Sequence, residues 1–134
     1  MFLTKKCDYA IRVVRSLADM KLRTVKCICD HEFVPHPFAY KILKRLERAG
    51  IVRSHRGAAG GYSLVRPLDS ITLYDIVTAI DEQLYVSECM RYGYACPHRS
   101  SGNTCGVHKE FSRLQDMVLS AMSEKKISDI FTDN

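Results

Sequence analysis

Six cysteines carry most of the reactive chemistry in this 134-residue chain. Three fall close together as Cys89-x6-Cys96-x8-Cys105, and His108 follows three residues later. Three thiolates on one stretch suit an iron–sulfur cluster, which cysteine typically holds. With His108 they also suit a Cys₃His zinc site by ligand type, although the x6 and x8 gaps are wide for one. Thiol oxidation to a disulfide is a third chemistry open to them. A cluster needing four protein ligands lacks one here, and His108 and Cys7 are candidates by residue type. Cys27 and Cys29 are two apart, so on a helix they point to different sides, and a structural role is expected for both. No nucleophile–base pair is evident, so catalysis is not expected.

These groups need elements to position them. Residues 34–66 read as a helix followed by a β-hairpin. Pro37 is expected at the first helical position, where its missing N–H has no partner anyway. Ala39, Ile42, Leu43, Leu46 and Ala49 recur at helical spacing on one face. Gly50 stands where a left-handed cap is needed. Residues 51–56 then read as a strand, 57–61 as a glycine-rich turn and 62–66 as the returning strand. Residues 38–66 hold seven Lys and Arg against one acid, Glu47; that stretch is therefore +6, while the whole chain is +5. A basic helix followed by a basic, glycine-tipped hairpin is the layout of a winged helix-turn-helix, and its charge is the footprint of a nucleic-acid contact.

The remaining elements frame this unit. Residues 4–20 read as a helix capped by Thr4, with Ala10, Val13, Val14, Leu17 and Ala18 inward and Asp8 off the stripe. A short helix over 25–31 follows, capped by Thr24. Thr72 and Asp75 resemble a capping box before Leu73, Ile76, Val77 and Ile80. From 83 to 106 periodicity disappears, leaving a loop that holds the three cysteines and Gly102. Such a long irregular loop in a small domain is usually functional or disordered. Val107–Lys125 reads as a long helix whose Val107, Phe111, Leu114, Val118 and Ala121 form a narrow seam for another helix. Ser128 is expected to cap a last turn that sets Ile130 and Phe131 against apolar surface. The expected architecture is mainly α with a small β-wing. It divides into a DNA-binding unit (1–82), a cysteine loop (83–106) and a dimerisation helix with its tail (107–134). No apolar run is long enough to span a membrane. No apolar segment follows the lysines of MFLTKKCDYA, so a cytoplasmic protein is expected.

The chain resembles the Rrf2-type transcriptional regulators. The carrying residues are Leu3-Thr4 with Tyr9-Ala10, Ile42–Leu46 running into Ala49–Val52, Arg56-Gly57 with Gly60-Gly61-Tyr62, Arg66-Pro67, Ile71–Leu73 with Asp75-Ile76, and the trailing three cysteines. The resemblance implies a winged-helix homodimer on a roughly palindromic double-stranded operator, with an iron–sulfur cluster in each cysteine loop. It implies that Asp8 can ligate the cluster of the other subunit, as in the nitric-oxide-sensing branch, or that His108 serves, as in the [2Fe–2S] branch. The TKKCD segment favours Asp8 and [4Fe–4S] over [2Fe–2S]. A helix-turn-helix sets the N-terminal part of its second helix against base edges. Pro37, Tyr40 and Lys41 are therefore expected at bases, and Lys44 and Arg45 at bases or phosphate. Arg56 matches the family's minor-groove arginine, and Gly57 and Gly60 shape the wing tip. Tyr40-Lys41 replaces a common Glu-Gln pair and Pro37 a common Ser, so the family's operators do not transfer. The implied function is a cluster-sensing regulator responding to redox state, nitric oxide or iron. The alternatives are a winged-helix regulator using zinc or thiol redox, and a small cluster-carrying electron carrier. The carrier has no need of the basic helix and wing.

Overall fold

The first two helices each begin at a threonine whose hydroxyl accepts a first-turn N–H, as the sequence predicts. Thr4 opens α1, Lys5–Ser16, and Thr24 opens α2, Val25–Glu32. The structure, a computed structural model, describes residues 3–99 and 105–132, so Gly102 of the cysteine loop lies outside the described residues. Helix α1 stops short of residue 20. Asp19 accepts the Lys21 N–H at 3.1 Å and pairs with Arg23 at 2.6 Å, and Met20 takes φ 63° as the chain turns.

Helix α3, His36–Arg48, starts one residue earlier than expected, with Pro35 as its cap and Pro37 in its first turn. Its end follows the sequence reading. Gly50 has φ 73°, and the Gly50 and Ile51 N–H groups donate to Glu47 and Leu46 carbonyls, each at 3.0 Å. That pair of bonds satisfies carbonyls left open by the helix end. Strands β1, Val52–His55, and β2, Gly61–Leu64, form an antiparallel hairpin with Val52 opposite Leu64 and His55 opposite Gly61. Arg23 pairs with the outer edge of β2 through two backbone bonds to Tyr62, at 2.9 and 2.8 Å. A methyl group on Gly61 would meet the Arg23 carbonyl oxygen at 2.2 Å, so only glycine lets the wing lie this close to the body.

Helix α4, Leu73–Ile80, carries the expected capping box, with Thr72 and Asp75 bonding reciprocally at 3.2 and 2.9 Å. Helix α5 is Gly106–Glu124 and α6 is Ile127–Thr132. The anchor of α6 is Ile127, which is fully buried and donates its N–H to the Ile71 carbonyl at 2.8 Å. Ile130 and Phe131 pack beside it, half-buried.

The core joins Ala10, Val13, Val14 and Leu17 of α1 to Ile42, Leu43 and Leu46 of α3 and Ile76, Val77 and Ile80 of α4. Burying a side chain such as Leu43 or Leu46 contributes roughly 1.5–3 kcal/mol. The back of α3 is thus held on two sides, and its front is presented outward. The seam expected on α5 is divided. Val118 packs with Leu119 on its own core, whereas Val107 and Leu114 stay 61% and 37% exposed, beside Met117 at 54%. Among the described residues no helix is long and apolar enough to cross a membrane.

Candidate functional site

Two sites emerge, and α4 lies between them. The first is the front of α3. Its buried residues, Ala39, Ile42, Leu43 and Leu46, set the opposite face at Pro37, Lys41, Lys44 and Arg48, spaced by four, three and four. Residues so spaced lie one above another along a helix. All four are exposed. Tyr40 is exposed on the flank towards the hairpin and, with His36, Gly57 and Gly60, lines a groove of ≈ 450 Å³ between helix and wing. The Glu47 carboxylate accepts both the N–H and the hydroxyl of Ser54, at 2.9 and 2.7 Å, which ties α3 to β1. The Ser54 bonds also hold the Glu47 carboxyl below its ordinary range.

The cations of this face lack the acidic partners that many others have. Elsewhere, Arg12 pairs with Asp8 at 3.2 Å, Arg15 with Glu32 at 2.5 Å, Lys26 with Asp30 at 2.8 Å and Arg113 with Glu110 at 2.6 Å. Among the described residues, the side chains of Lys41, Lys44, Arg48, Arg53 and Arg56 have neither an ion pair nor a hydrogen bond. Arg56 is exposed beside Gly57, whose φ of 109° favours glycine. Gly60 closes the turn with its N–H on the Gly57 carbonyl at 2.9 Å, and a methyl group there would meet backbone oxygens at 2.7 and 2.8 Å.

Arg45 differs from the expectation. Its guanidinium donates to the Ile80 carbonyl at the end of α4, so this side chain is engaged within the chain. The sequence reading assigned no contact to Arg48, although the spacing from Lys41 and Lys44 was the available signal.

The second site is the cysteine loop. Cys89 lies in a short turn, Glu88–Met90, with its Sγ 3.5 Å from Ser87 Oγ. Cys96 precedes a turn in which its carbonyl accepts the Arg99 N–H at 3.0 Å, and Cys105 caps α5. All three are free and half-buried. Among the described residues, no three His, Cys, Asp or Glu side chains are gathered as a metal site. Donor chemistry nevertheless suits a cluster or a zinc ion. His108 lies one helical turn beyond Cys105, and its Nδ1 is buried without a hydrogen-bond partner among the described residues. A buried imidazole nitrogen without a partner is open to a hydrogen bond or, when unprotonated, to a metal.

Asp8 lies on the outer side of α1, 45% exposed and paired with Lys5 at 3.3 Å and Arg12 at 3.2 Å. Slight burial raises its pKa, but the Lys5 bond and the Arg12 charge outweigh that and hold the carboxyl low. Cys7 is not available as a ligand. It is buried in the core, and its thiol donates to Asp81 Oδ2 at 3.3 Å. Burial pushes this thiol up, against the thiolate a metal needs. Cys29 is likewise buried and raised. Sequence reasoning missed Gln115, which is buried on α5. Its amide donates to the Leu84 carbonyl and accepts the Val86 N–H at 2.8 Å, pinning the start of the loop.

Residues 3–133 match the model of the Rrf2 family, described as "Iron-dependent Transcriptional regulator". Protein aau3 of Rhizobium meliloti (strain 1021) is 32% identical over 133 residues, which is 97% of this chain and 84% of that protein. CymR, the global cysteine regulator of B. subtilis, superposes with a TM-score of 0.77 at 21% identity, over 100% of this chain and 98% of its own. IscR of T. potens superposes with a TM-score of 0.75 at 18% identity, over 99% and 88%.

Proposed function

Because the chain belongs to the Rrf2 family of transcriptional regulators, whose members bind DNA and are not enzymes, we propose that it is an operator-binding homodimer that senses through its cysteine loop. The observation that carries the DNA contact is that Lys41, Lys44, Arg48 and Arg56 gather on one helix face and its wing with side chains unpaired among the described residues. Unpaired cations on one face are completed by phosphates, with release of counterions. Pro37, Tyr40 and Lys41 meet base edges in the major groove, and Lys44 and Arg48 reach phosphate. Arg56 enters the minor groove from the wing, with Gly57 and Gly60 setting its approach. The exposed Val107, Leu114 and Met117 of α5 pair with a second copy, and residues 1–82, 83–106 and 107–134 divide the work as DNA reader, sensor loop and dimer helix.

Cys89, Cys96 and Cys105 hold an iron–sulfur cluster in this reading. The iron-dependent description of the family supports it, as does the half-buried, free state of all three thiols. A bound cluster supplies an iron centre that responds to redox state, nitric oxide or iron supply. The fourth donor is His108 or Asp8 of the other subunit. The orphaned Nδ1 favours His108, whereas Asp8 must first leave Lys5 and Arg12. A thiol-redox regulator is the competing reading, and likeness to a cysteine regulator supports it.

The test is anaerobic purification followed by absorption spectroscopy and native mass spectrometry, with titration of duplex DNA at several salt concentrations. The reading expects a coloured dimer with one cluster per subunit and strongly salt-dependent binding. A colourless, zinc-loaded or metal-free protein refutes the cluster, and salt-independent binding refutes the basic face.

A further inference from the structure

Two consecutive residues at the end of α4 are held from opposite sides. The Ile80 carbonyl, which a helix end leaves without an intrahelical partner, takes the Arg45 guanidinium of α3. Asp81 follows in extended conformation, and its Oδ2 accepts the Thr4 hydroxyl at 3.1 Å and the Cys7 thiol at 3.3 Å. Thr4 is also the cap of α1. The chain then runs straight into the loop, past Leu84 and Val86, which Gln115 clamps to α5, and on to Cys89. Arg45 sits next to Lys44 on α3. The loop is thus joined through a few residues to Ile80 and Asp81, and the Arg45 bond to Ile80 links that junction to the DNA-facing helix.

The residue type fits this role. A guanidinium is always charged and carries five donors, and a cation is favoured at a helix C-terminus. The pocket around it, ≈ 330 Å³, is lined by Arg45, Asp81, Glu82 and Gln83, so loop residues share the space with the side chain. A direct contact to bases or phosphate is the role the sequence suggested for Arg45, and the Ile80 bond competes with it.

We propose that Arg45 is a positioning residue that couples the cysteine loop to the recognition helix, by its bond to the Ile80 carbonyl at a junction anchored through Asp81 to Thr4 and Cys7. This rests on the sensing function proposed above, and coupling between two sites must be reciprocal.

The experiment measures operator affinity by fluorescence anisotropy, on a duplex selected in vitro with the parent protein. Parent, Arg45→Gln, Arg45→Lys and Lys44→Gln are compared, each metal-free and cluster-loaded, over a range of salt. The ratio of the two affinities in the parent should fall at least about fivefold towards one in Arg45→Gln. Cluster absorption and the salt slope should stay as in the parent, and Arg45→Lys should retain part of the ratio. Lys44→Gln should weaken both states alike and lower the salt slope by about one. A second readout needs no cluster. Operator binding to the metal-free parent should slow amide exchange across residues 81–90, and in Arg45→Gln that slowing should disappear. An unchanged ratio, equal slowing in both proteins, or a salt slope lowered as in Lys44→Gln overturns the proposal. If Arg45→Gln does not fold, Arg45→Lys takes its place, with a partial fall in the ratio and partial loss of the slowing expected and no change in either overturning the proposal. Equal affinities of the loaded and empty parent refute the sensing function, and the exchange measurement then decides the coupling alone.

Discussion

Gly61→Ala should loosen the wing from the body of the domain. The added methyl group would lie 2.2 Å from the Arg23 carbonyl oxygen, 2.7 Å from its carbon and 3.0 Å from the Thr24 nitrogen. All three are backbone atoms, so no side chain can swing aside. Relief requires separating β2 from the Arg23 segment, which breaks the two Arg23–Tyr62 bonds of 2.9 and 2.8 Å. Each is worth about 0.5–1.5 kcal/mol. Against this, alanine restricts the unfolded chain and returns about 0.4–1 kcal/mol. The net loss is about 1–2 kcal/mol, which lowers Tm by roughly 3–8 °C for a domain of this size. Gly57→Ala is the comparison. Nothing lies within 4 Å of its Cβ position, but φ is 109°, so its cost is conformational strain confined to the tip. Thermal unfolding followed by circular dichroism, with DNA titration of each folded variant, measures both effects. Gly61→Ala should lose stability and DNA affinity together. A Gly61→Ala variant with the parent's Tm and affinity would refute the close backbone approach and the role given to it.

Three further outcomes are expected. Lys44→Gln and Arg48→Gln should each lower the slope of log affinity against log salt by about one, Lys41→Gln should relax base preference in the major groove, and Arg56→Ala should relax preference for A·T-rich flanks; unchanged slopes and preferences would remove these residues from the interface. Leu114→Asp places an unpaired charge on the exposed stripe of α5 and should give monomers by sedimentation at micromolar concentration, whereas a stable dimer would exclude that stripe. Anaerobic absorption and resonance Raman spectra should shift in His108→Ala and stay as in the parent in Asp8→Ala, while Cys105→Ala should abolish cluster assembly; the reverse pattern for His108 and Asp8 would make Asp8 the ligand.

Short-range rules made much of this protein legible from its sequence. Thr4, Thr24, the Thr72–Asp75 capping box and the left-handed stop at Gly50 involve partners three to five residues away, and each forms as expected. Apolar periodicity gave the core face of α3, and charge counting gave its outward face, because both depend only on helical geometry. Boundaries shifted where a local side chain intervened, as Asp19 does after α1. The three cysteines stood out as a candidate site by type and spacing alone. Tertiary structure decided what long-range partners decide. Arg45 meets a carbonyl 35 residues away, Cys7 a carboxylate 74 away and Gln115 a carbonyl 31 away, and no periodicity encodes such meetings. Arg45 and Lys44 look equivalent in the chain, yet among the described residues one side chain bonds to the Ile80 carbonyl and the other has no partner. Likewise Cys7 and Cys105 are both thiols, and only burial beside Asp81 withdraws the first from metal chemistry. Composition and spacing thus determined which groups are present and which face they share. The packing of α1, α3, α4 and α5 determined which remain unpaired, because a charge or donor is available to a ligand only where folding has left it without a partner.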